Sequence, residues 1–466
     1  MNPRPASTRL PAGLPGNLQG ARCSILEPGR VRPSPKVPPS ILDQDRSLNM
    51  KDLRTNFLDH VKKNLDGKPL PLRIIFWDGH EYAFSEQVLV TMRLHSARHV
   101  TNLLMGNAID VLGEGYVEGS IGLDGRYQDI LAVAEALNRA FPAKKPKIGI
   151  LHRALHSKSR DAEAIHYHYD VSNAFYQLWL DRNMVYSCAY FKTGAEDIDT
   201  AQEQKLDHIC RKLHLQPDEK LLDIGCGWGG LLVWAAKHYA IQGVGITLSQ
   251  EQFAYARERV EREGLTDRIE IRLQDYRDIP ERDFFDKVSS VGMFEHVGRA
   301  KLGAYFQAIH RVLKEGGWVM NHGITASQQD DELGHHSGSD FMDKYVFPDG
   351  EIPHLWRVVR EMAGQDLEVL DVENLRPHYA QTLIHWVQRL EARKAEAIAM
   401  IGDKRYRIWA IYMAGCAYAF WHNWSALHQI LAVKQSREEL TPRPWERRYQ
   451  YQENAFRLAE PDWGNI

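Results

Sequence analysis

The sequence is poor in cysteine: Cys23, Cys188, Cys210, Cys226 and Cys416 are spread over 466 positions without a CxxC pair. An odd, scattered set of this kind builds neither a disulfide framework nor a zinc site, and it fits a reducing cytoplasm. Long apolar runs are also missing. The longest, IWAIYMAGCAYAFW at residues 408–421, has the length of a buried core helix and falls short of the ~20 residues needed to cross a bilayer. Near the N-terminus the prolines and arginines are not separated by an apolar stretch, so the pattern of a secretory signal fails. Charge of one sign is lacking too. The 58 Lys plus Arg stand against 61 Asp plus Glu, a net charge of −3, without the basic field that nucleic-acid binding requires; local basic patches could still meet an anionic surface.

What is present is unevenly distributed. Nine of the 21 prolines fall within the first 39 residues, among Gly, Ser and Arg. That composition buries too little apolar surface to offset the entropy of ordering, so residues 1–49 are expected to be disordered. Met50 directly precedes a helical pattern, KDLRTNFLDHVKKNL, and is an alternative translation start that the mass of the native protein would reveal. Residues 50–142 are expected to form a small α+β domain. Within it RIIFW and EYAF flank Asp78-Gly79, a two-residue hairpin signal, and VLVTMRL alternates like a strand. Residues 143–160 carry Lys144, Lys145, Lys147, Arg153, Lys158 and Arg160 with little apolar periodicity. They read as an interdomain linker, with a contact for anionic lipid head groups as the alternative.

Residues 161–466 are expected to form the main domain. From Thr200 on, helical and short apolar segments alternate: a helix to about Leu213, LLDI, a helix over 229–239, GVGIT, a helix over 249–263 and IEIRL. KVSSVG, a helix over 300–314 and WVMNHG continue the pattern. Such alternation predicts a parallel sheet covered by helices on both faces, a doubly wound α/β fold. Residues 379–434 read as helices rich in Trp and Tyr.

The strongest local signal is LLDIGCGWGG at residues 221–230. A glycine turn between a buried strand and a helix lets the backbone approach a ligand where side chains would collide. Asp223 stands just before Gly225, Cys226, Gly227 and Gly230, where an acid is poorly suited to pyrophosphate and well suited to a cationic, phosphate-free ligand such as S-adenosylmethionine. Many methyltransferases end the second strand in an acid that holds the ribose; here GVGIT ends in Thr247 and continues through Leu248. Thr247 and Gln252 could bond the ribose instead, and Gln274, Asp275 and Tyr276 in LQDYRD would border the adenine. Ser249 with Gln252 also reads as a helix capping box, and both roles can hold together.

Taken together, HYHYDVSNAFYQLWLD, MVYSCAYF, DIGCGWGG, GITLSQEQ, LQDYRD, SSVGMFEHVG, YVFPDGEIP and GCAYAF resemble the cyclopropane-fatty-acyl-phospholipid synthase family, which is similar to the mycolic acid cyclopropane synthases. The resemblance implies a class I methyltransferase-like fold with a helical lid. It implies transfer of the adenosylmethionine methyl to a cis double bond of a phospholipid acyl chain, then proton removal and ring closure. An alkene carries no proton to remove first, so such an enzyme mainly aligns reactants in a dry pocket and relieves a carbocation of a proton; aromatic faces steady the cation. The resemblance further implies a bicarbonate ion as base, held by Cys188, Glu295, His322, Ile324 and Tyr379. Glu295 would relay the proton, His322 and Tyr379 would donate hydrogen bonds, and Cys188 and Ile324 would offer chiefly main-chain groups. Tyr186 and Ser187 would contact the donor from the lid formed by the N-terminal helices.

Plainer readings stand beside these. Cys188 by itself is a small buried hydrophobe, and Cys416, at a family cysteine considered catalytic, sits in an apolar helix that suits packing. His166 and His168 suggest a metal only weakly, since no third ligand is evident, and no metal site is expected. Trp421 departs from the Arg often found after GCAYAF, which bears on head-group contacts. The chain therefore reads as a cytoplasmic enzyme at the inner membrane face, with room for a homodimer and without a nucleic-acid partner. The alternatives are a methyl-branching methyltransferase and a non-catalytic lipid-binding homologue.

Overall fold

A computed structural model describes residues 50–65, 68–105, 108–141, 172–327, 341, 345, 351–436 and 443–451. The expectations for residues 1–49, for the basic segment 143–160 and for His166 and His168 lie outside these residues. Both sheets of the protein fall within one compact unit, Met50–Ile466, and each has its own buried core.

The smaller sheet contains β1 (Leu72–Ile75), β2 (Glu81–Ala83), β3 (Val90–Leu94) and β4 (Ile121–Asp124) in the order β2-β1-β3-β4. Phe57 and Val61 of the helix Met50–Asn64 lie one helical turn apart and meet Leu72, Ile74 and Val100 in its core. The hairpin at Asp78-Gly79 is one residue longer than expected. Phe76 accepts from the Gly79 N–H and donates to the His80 carbonyl, both at 2.9 Å, so Trp77, Asp78 and Gly79 form the loop. Gly79 takes φ 80°, the left-handed position that closes three-residue hairpins.

The larger sheet has seven strands: β5 (Lys220–Ile224), β6 (Gln242–Thr247), β7 (Ile269–Leu273), β8 (Phe285–Val291), β9 (Leu313–Ala326), β10 (Leu367–Asn374) and β11 (Ser425–Lys434). Their order is β10-β11-β9-β8-β5-β6-β7. Strands β5 to β9 are parallel, and β11 runs antiparallel between β9 and β10. The chain leaves β5 toward β6 and β7, then returns to the other side for β8. A crevice opens at that reversal, outside the carboxyl ends of the strands, where open α/β sheets bind ligands. The helices Ile198–Lys212, Gly230–Tyr239 and Gln250–Arg262 share one core through Ile209, Leu232 and Val260, while Leu302–Val312 and Leu355–Ala363 share another through Ile309 and Val358. This is the doubly wound α/β fold expected from the alternation of elements, and it matches the class I methyltransferase-like fold that the resemblance implies.

The C-terminal region differs from its expectation. Helices Arg376–Ala392, Lys394–Ile401 and Asp403–Trp421 are present, but SALHQILAVK is strand β11, buried along nearly its whole length. A short apolar run buried on both faces has no alternation to separate it from a helix, and its pairing with β9 and β10 is decided by residues far away in sequence. The three helices and the segment around Trp179 enclose an aromatic cluster that includes Trp386, Tyr406 and Trp409, against which Ile324 of β9 packs. The lid is expected from N-terminal helices, which lie partly outside the described residues; C-terminal helices carry most of this cluster, the aromatic lid. No helix of the described residues is long and apolar enough to cross a membrane.

Gly323 of β9 is a point of close approach: a Cβ built there would lie 2.1 Å from Cε1 of the Phe294 ring. Gly323→Ala is therefore expected to lower stability by about 1–3 kcal/mol through overpacking, with Phe294→Leu in the same chain recovering part of the loss. Urea unfolding measures it, and an unchanged midpoint would contradict this contact.

Candidate active site

The glycine turn begins where β5 ends. Gly225, Gly227 and Gly229 take φ of 78°, 55° and 78°, a region closed to most side chains. The N–H groups of Gly225 and Cys226 both donate to the Ile246 carbonyl at 3.0 Å, tying the loop to β6. From above, residues 183–187 close in. A Cβ on Gly230 would lie 2.9 Å from the Asn183 carbonyl oxygen, and Arg259 holds Asn183 through two bonds of 2.8 Å, one to its backbone and one to its side chain.

One cavity at this crevice gathers eleven of the twelve residues expected at the nucleotide: Tyr186, Ser187, Asp223, Gly225, Cys226, Gly227, Thr247, Leu248, Gln252, Gln274 and Tyr276. Asp275 is the exception. Its carboxylate accepts from the Arg277 backbone at 2.9 Å and from the Arg277 guanidinium at 2.8 and 2.6 Å, capping the turn Tyr276–Asp278, and it does not line the cavity. An arginine two residues on claims both oxygens. The capping box forms by half. Ser249 caps the helix Gln250–Arg262 and accepts the Gln252 N–H at 3.3 Å. The Ser249 N–H goes to Thr247 Oγ1 at 3.2 Å, and that hydroxyl donates to Gln252 Oε1 at 2.8 Å. Thr247 and Gln252 thus use part of their bonding capacity on each other.

Two charges face this cavity from buried positions. Burial pushes the Asp223 carboxyl up to about 7, opposed by the Ser289 hydroxyl and by Lys205. Burial pulls the Lys205 ammonium down to about 8, opposed by Asp181, Cys188 and Asp223. Lys205 was not among the expected residues. The signal for it lies in the helix Ile198–Lys212, where Gln202, Lys205, His208 and Lys212 recur at inward positions beside Ala201, Leu206 and Ile209. Met184, Trp228, Met293 and His296 also line the cavity without having been singled out.

None of the six expected catalytic residues lines that cavity. Glu295 sits on the short turn Phe294–His296 directly after β8, and its Oε1 accepts the Ile324 N–H at 2.7 Å. Its Oε2 is buried without a partner in the described structure. Burial pushes this carboxyl up to about 7, opposed by the Ile324 amide. His322 of β9 is 1% exposed, with Nδ1 3.1 Å from the Gln429 amide nitrogen and Nε2 buried without a partner. Burial holds it well below the usual histidine range, so the ring is neutral. With an amide nitrogen facing Nδ1, that atom accepts and Nε2 carries the proton.

The remaining four belong to the aromatic lid. Tyr379, Ile324 and Cys416 pack against the same cluster as Tyr186, and the Tyr379 ring lies 4.7 Å from Phe420. Tyr186 both packs there and lines the nucleotide cavity, so it forms the wall between the two regions. The Ile324 N–H is committed to Glu295. The Cys188 thiol donates to the Ala189 carbonyl at 3.2 Å and burial raises it far above the usual thiol range; Cys416 is raised to about 12 for the same reason. Neither is an available thiolate. Arg376 caps the helix end at Trp421, donating to the Phe420 and Trp421 carbonyls at 2.6 and 3.0 Å. No group of side chains among the described residues is arranged to hold a metal ion.

Comparison with known proteins identifies the family. Residues 156–430 match the family described as mycolic acid cyclopropane synthetase, and residues 58–146 match a domain of unknown function. The chain belongs to the mycolic acid cyclopropane synthetase family. It is 47% identical over 382 residues to a "Probable fatty acid methyltransferase" of Pseudomonas putida, covering 82% of this chain and 96% of that one. It is 35% identical over 320 residues to the cyclopropane-fatty-acyl-phospholipid synthase of Escherichia coli strain K12, covering 65% and 80%. Among solved structures, mycolic acid cyclopropane synthase CmaA1 complexed with SAH and CTAB superposes with a TM-score of 0.55 at 32% identity, covering 59% of this chain and 98% of that one.

The buried Thr247 bridge gives a direct test of the site's local order. Thr247→Val keeps the shape, removes the hydroxyl and leaves the Ser249 N–H and Gln252 Oε1 without it, which should cost about 1–3 kcal/mol. Chemical denaturation and faster amide exchange at the start of the helix Gln250–Arg262 would register the loss; wild-type values for both would contradict the bridge.

Proposed function

We propose that the protein cyclopropanates cis double bonds in the acyl chains of membrane phospholipids, using S-adenosylmethionine. The observation that carries this reading is the Glu295 carboxylate: buried, fixed by the Ile324 amide at 2.7 Å, with one oxygen lacking a partner in the described structure. Adenosylmethionine, when bound, supplies a sulfonium methyl group. The glycine turn, Asp223 and the Thr247–Gln252 bridge position it, and the aromatic lid excludes water from the acyl chain. The alkene's π pair makes the new carbon–carbon bond as the sulfur–carbon bond breaks, leaving a cation on the chain. Loss of a proton from the new methyl frees the electron pair that closes the ring. Water would capture the cation, which is why this step needs a dry, aromatic enclosure.

A base is needed close to that methyl. Glu295 Oε2 is an acceptor and His322 Nε2 a donor, both buried without partners in the described structure. They match the hydroxyl and the anionic oxygens of bicarbonate, which Glu295, His322 and Tyr379 would hold and which would supply the base. Glu295 relays the proton onward, and a carboxyl near 7 does so far better at neutral pH than one near its usual value. Because the acyl chains lie in a bilayer, we place the enzyme at the cytoplasmic membrane face. The strongest alternative is arrest after methylation to give a methyl-branched or methylene chain. It is favoured by the name of the 47% identical relative, and differs only in which proton leaves the same cation.

Purified protein incubated with adenosylmethionine and liposomes of cis-monounsaturated phospholipid should yield acyl chains heavier by one CH2, with upfield cyclopropane protons by NMR. Absence of any mass gain would reject both enzyme readings, and a gain without ring protons would favour the alternative. Glu295→Gln should keep donor binding and lose roughly 10²–10⁴-fold in turnover. Since the ionised carboxylate is the active form, the wild-type rate should climb as pH rises through about 7, and the Gln variant should lack that limb. A wild-type profile in the variant would remove Glu295 from the proton path.

A further inference from the structure

We infer that Lys205 binds the carboxylate at the amino-acid end of the methyl donor, opposite Asp223, which takes the neighbouring ammonium. This rests on the reading that adenosylmethionine is the donor. Of the described residues lining the cavity, Lys205 is the only Lys or Arg and Asp223 the only Asp or Glu. They are 2% and 3% exposed, so both charges are taken out of bulk water and directed at the cavity. An ammonium group has three donors, and Lys205 uses one, on Ser187 Oγ at 2.8 Å.

The acids around Lys205 do not satisfy it directly. Asp181 gives its two oxygens to the Val185 and Asn183 N–H groups, each at 2.8 Å. Lys205 and Asp223 feel each other's charge but form no ion pair within bonding distance, so they stand apart as separate poles. By contrast, Lys212, on the same helix, meets Glu373 at 2.5 Å. A desolvated cation without a carboxylate is costly, and it would repel a ligand whose sulfur bears a positive charge. The contradiction disappears if the ligand brings an anion to it. An amino-acid head group is a zwitterion, and two separated buried poles of opposite sign are its electrostatic complement.

Calorimetric titration of the full chain with adenosylmethionine and with its decarboxylated analogue, which keeps the ammonium and sulfonium, tests this. The wild type should prefer the carboxylate-bearing donor by on the order of tenfold or more. Lys205→Met, which keeps the apolar stem, should abolish that preference by weakening the donor while leaving the decarboxylated analogue equal or tighter. A purely structural lysine would weaken both alike, which overturns the inference. Lys205→Gln serves as the second variant if the first fails to fold, judged by circular dichroism. Equal wild-type affinities for the two ligands also overturn it. The same titrations with and without added bicarbonate separate the other anion: a variant that keeps the carboxylate preference but loses its response to bicarbonate refutes the assignment. A wild type that binds no adenosyl ligand removes the donor reading itself, and this inference with it.

Discussion

The hydrogen bond from the Ile324 amide to Glu295 joins two strands that otherwise carry unrelated parts of the site. Glu295 follows β8 and Ile324 lies near the end of β9, and the Gly292 N–H bond to the His322 carbonyl at 2.8 Å sets their register beside it. Phe294 can lie on β9 only because Gly323 has no side chain. The result is a carboxylate held in a dry place by one neutral donor. A cation at that bond would stabilise the charge and weaken the base; a backbone amide fixes the direction while desolvation keeps the group basic.

The same economy of partners separates the two lysines of the helix Ile198–Lys212. Lys212 is fully buried between Asp371 and Glu373, and His208 meets Glu373 at 2.8 Å. Burial pushes the Glu373 carboxyl up, but His208 and Lys212 more than offset it and leave it at about 2. This cluster fastens β10, at the sheet's edge, to the covering helix. Ion pairs of this kind are poor evidence for net stability, yet removing one member strands a charge and costs roughly 3–5 kcal/mol. Two turns earlier, Lys205 has no such carboxylate and faces the cavity instead. One helix therefore serves both as a fastening and as a wall of the ligand site.

Residues beside the smaller sheet contact the aromatic cluster and the helices that carry it. Arg407 of the helix Asp403–Trp421 donates to the Tyr116 carbonyl at 3.1 Å, and the Tyr127 hydroxyl to Glu391 at 3.2 Å. Val117 and Tyr127 enter the aromatic cluster itself. These contacts brace the helices that carry Tyr379 and Cys416. Under the proposed reaction, an enclosure that must exclude water around a cation gains from rigid backing, since each opening would admit a competing nucleophile.

Local sequence determined the alternating α/β elements and the glycine turn that borders the cavity, because a turn and the strand ends beside it are specified by neighbours in the chain. Asp275 turns to a partner only two residues away, Arg277, in a direction that a sequence pattern does not give. Tertiary structure alone decided that SALHQILAVK becomes the antiparallel strand between β9 and β10, since its apolar run suits either element until distant strands offer backbone partners. It alone also turned Lys205 toward the cavity and gave Glu295 the Ile324 amide. Desolvation and pairing depend on what packs around a group, and that is settled only when separate elements meet: Ile324 stands 29 residues from Glu295, and Ser187 18 from Lys205.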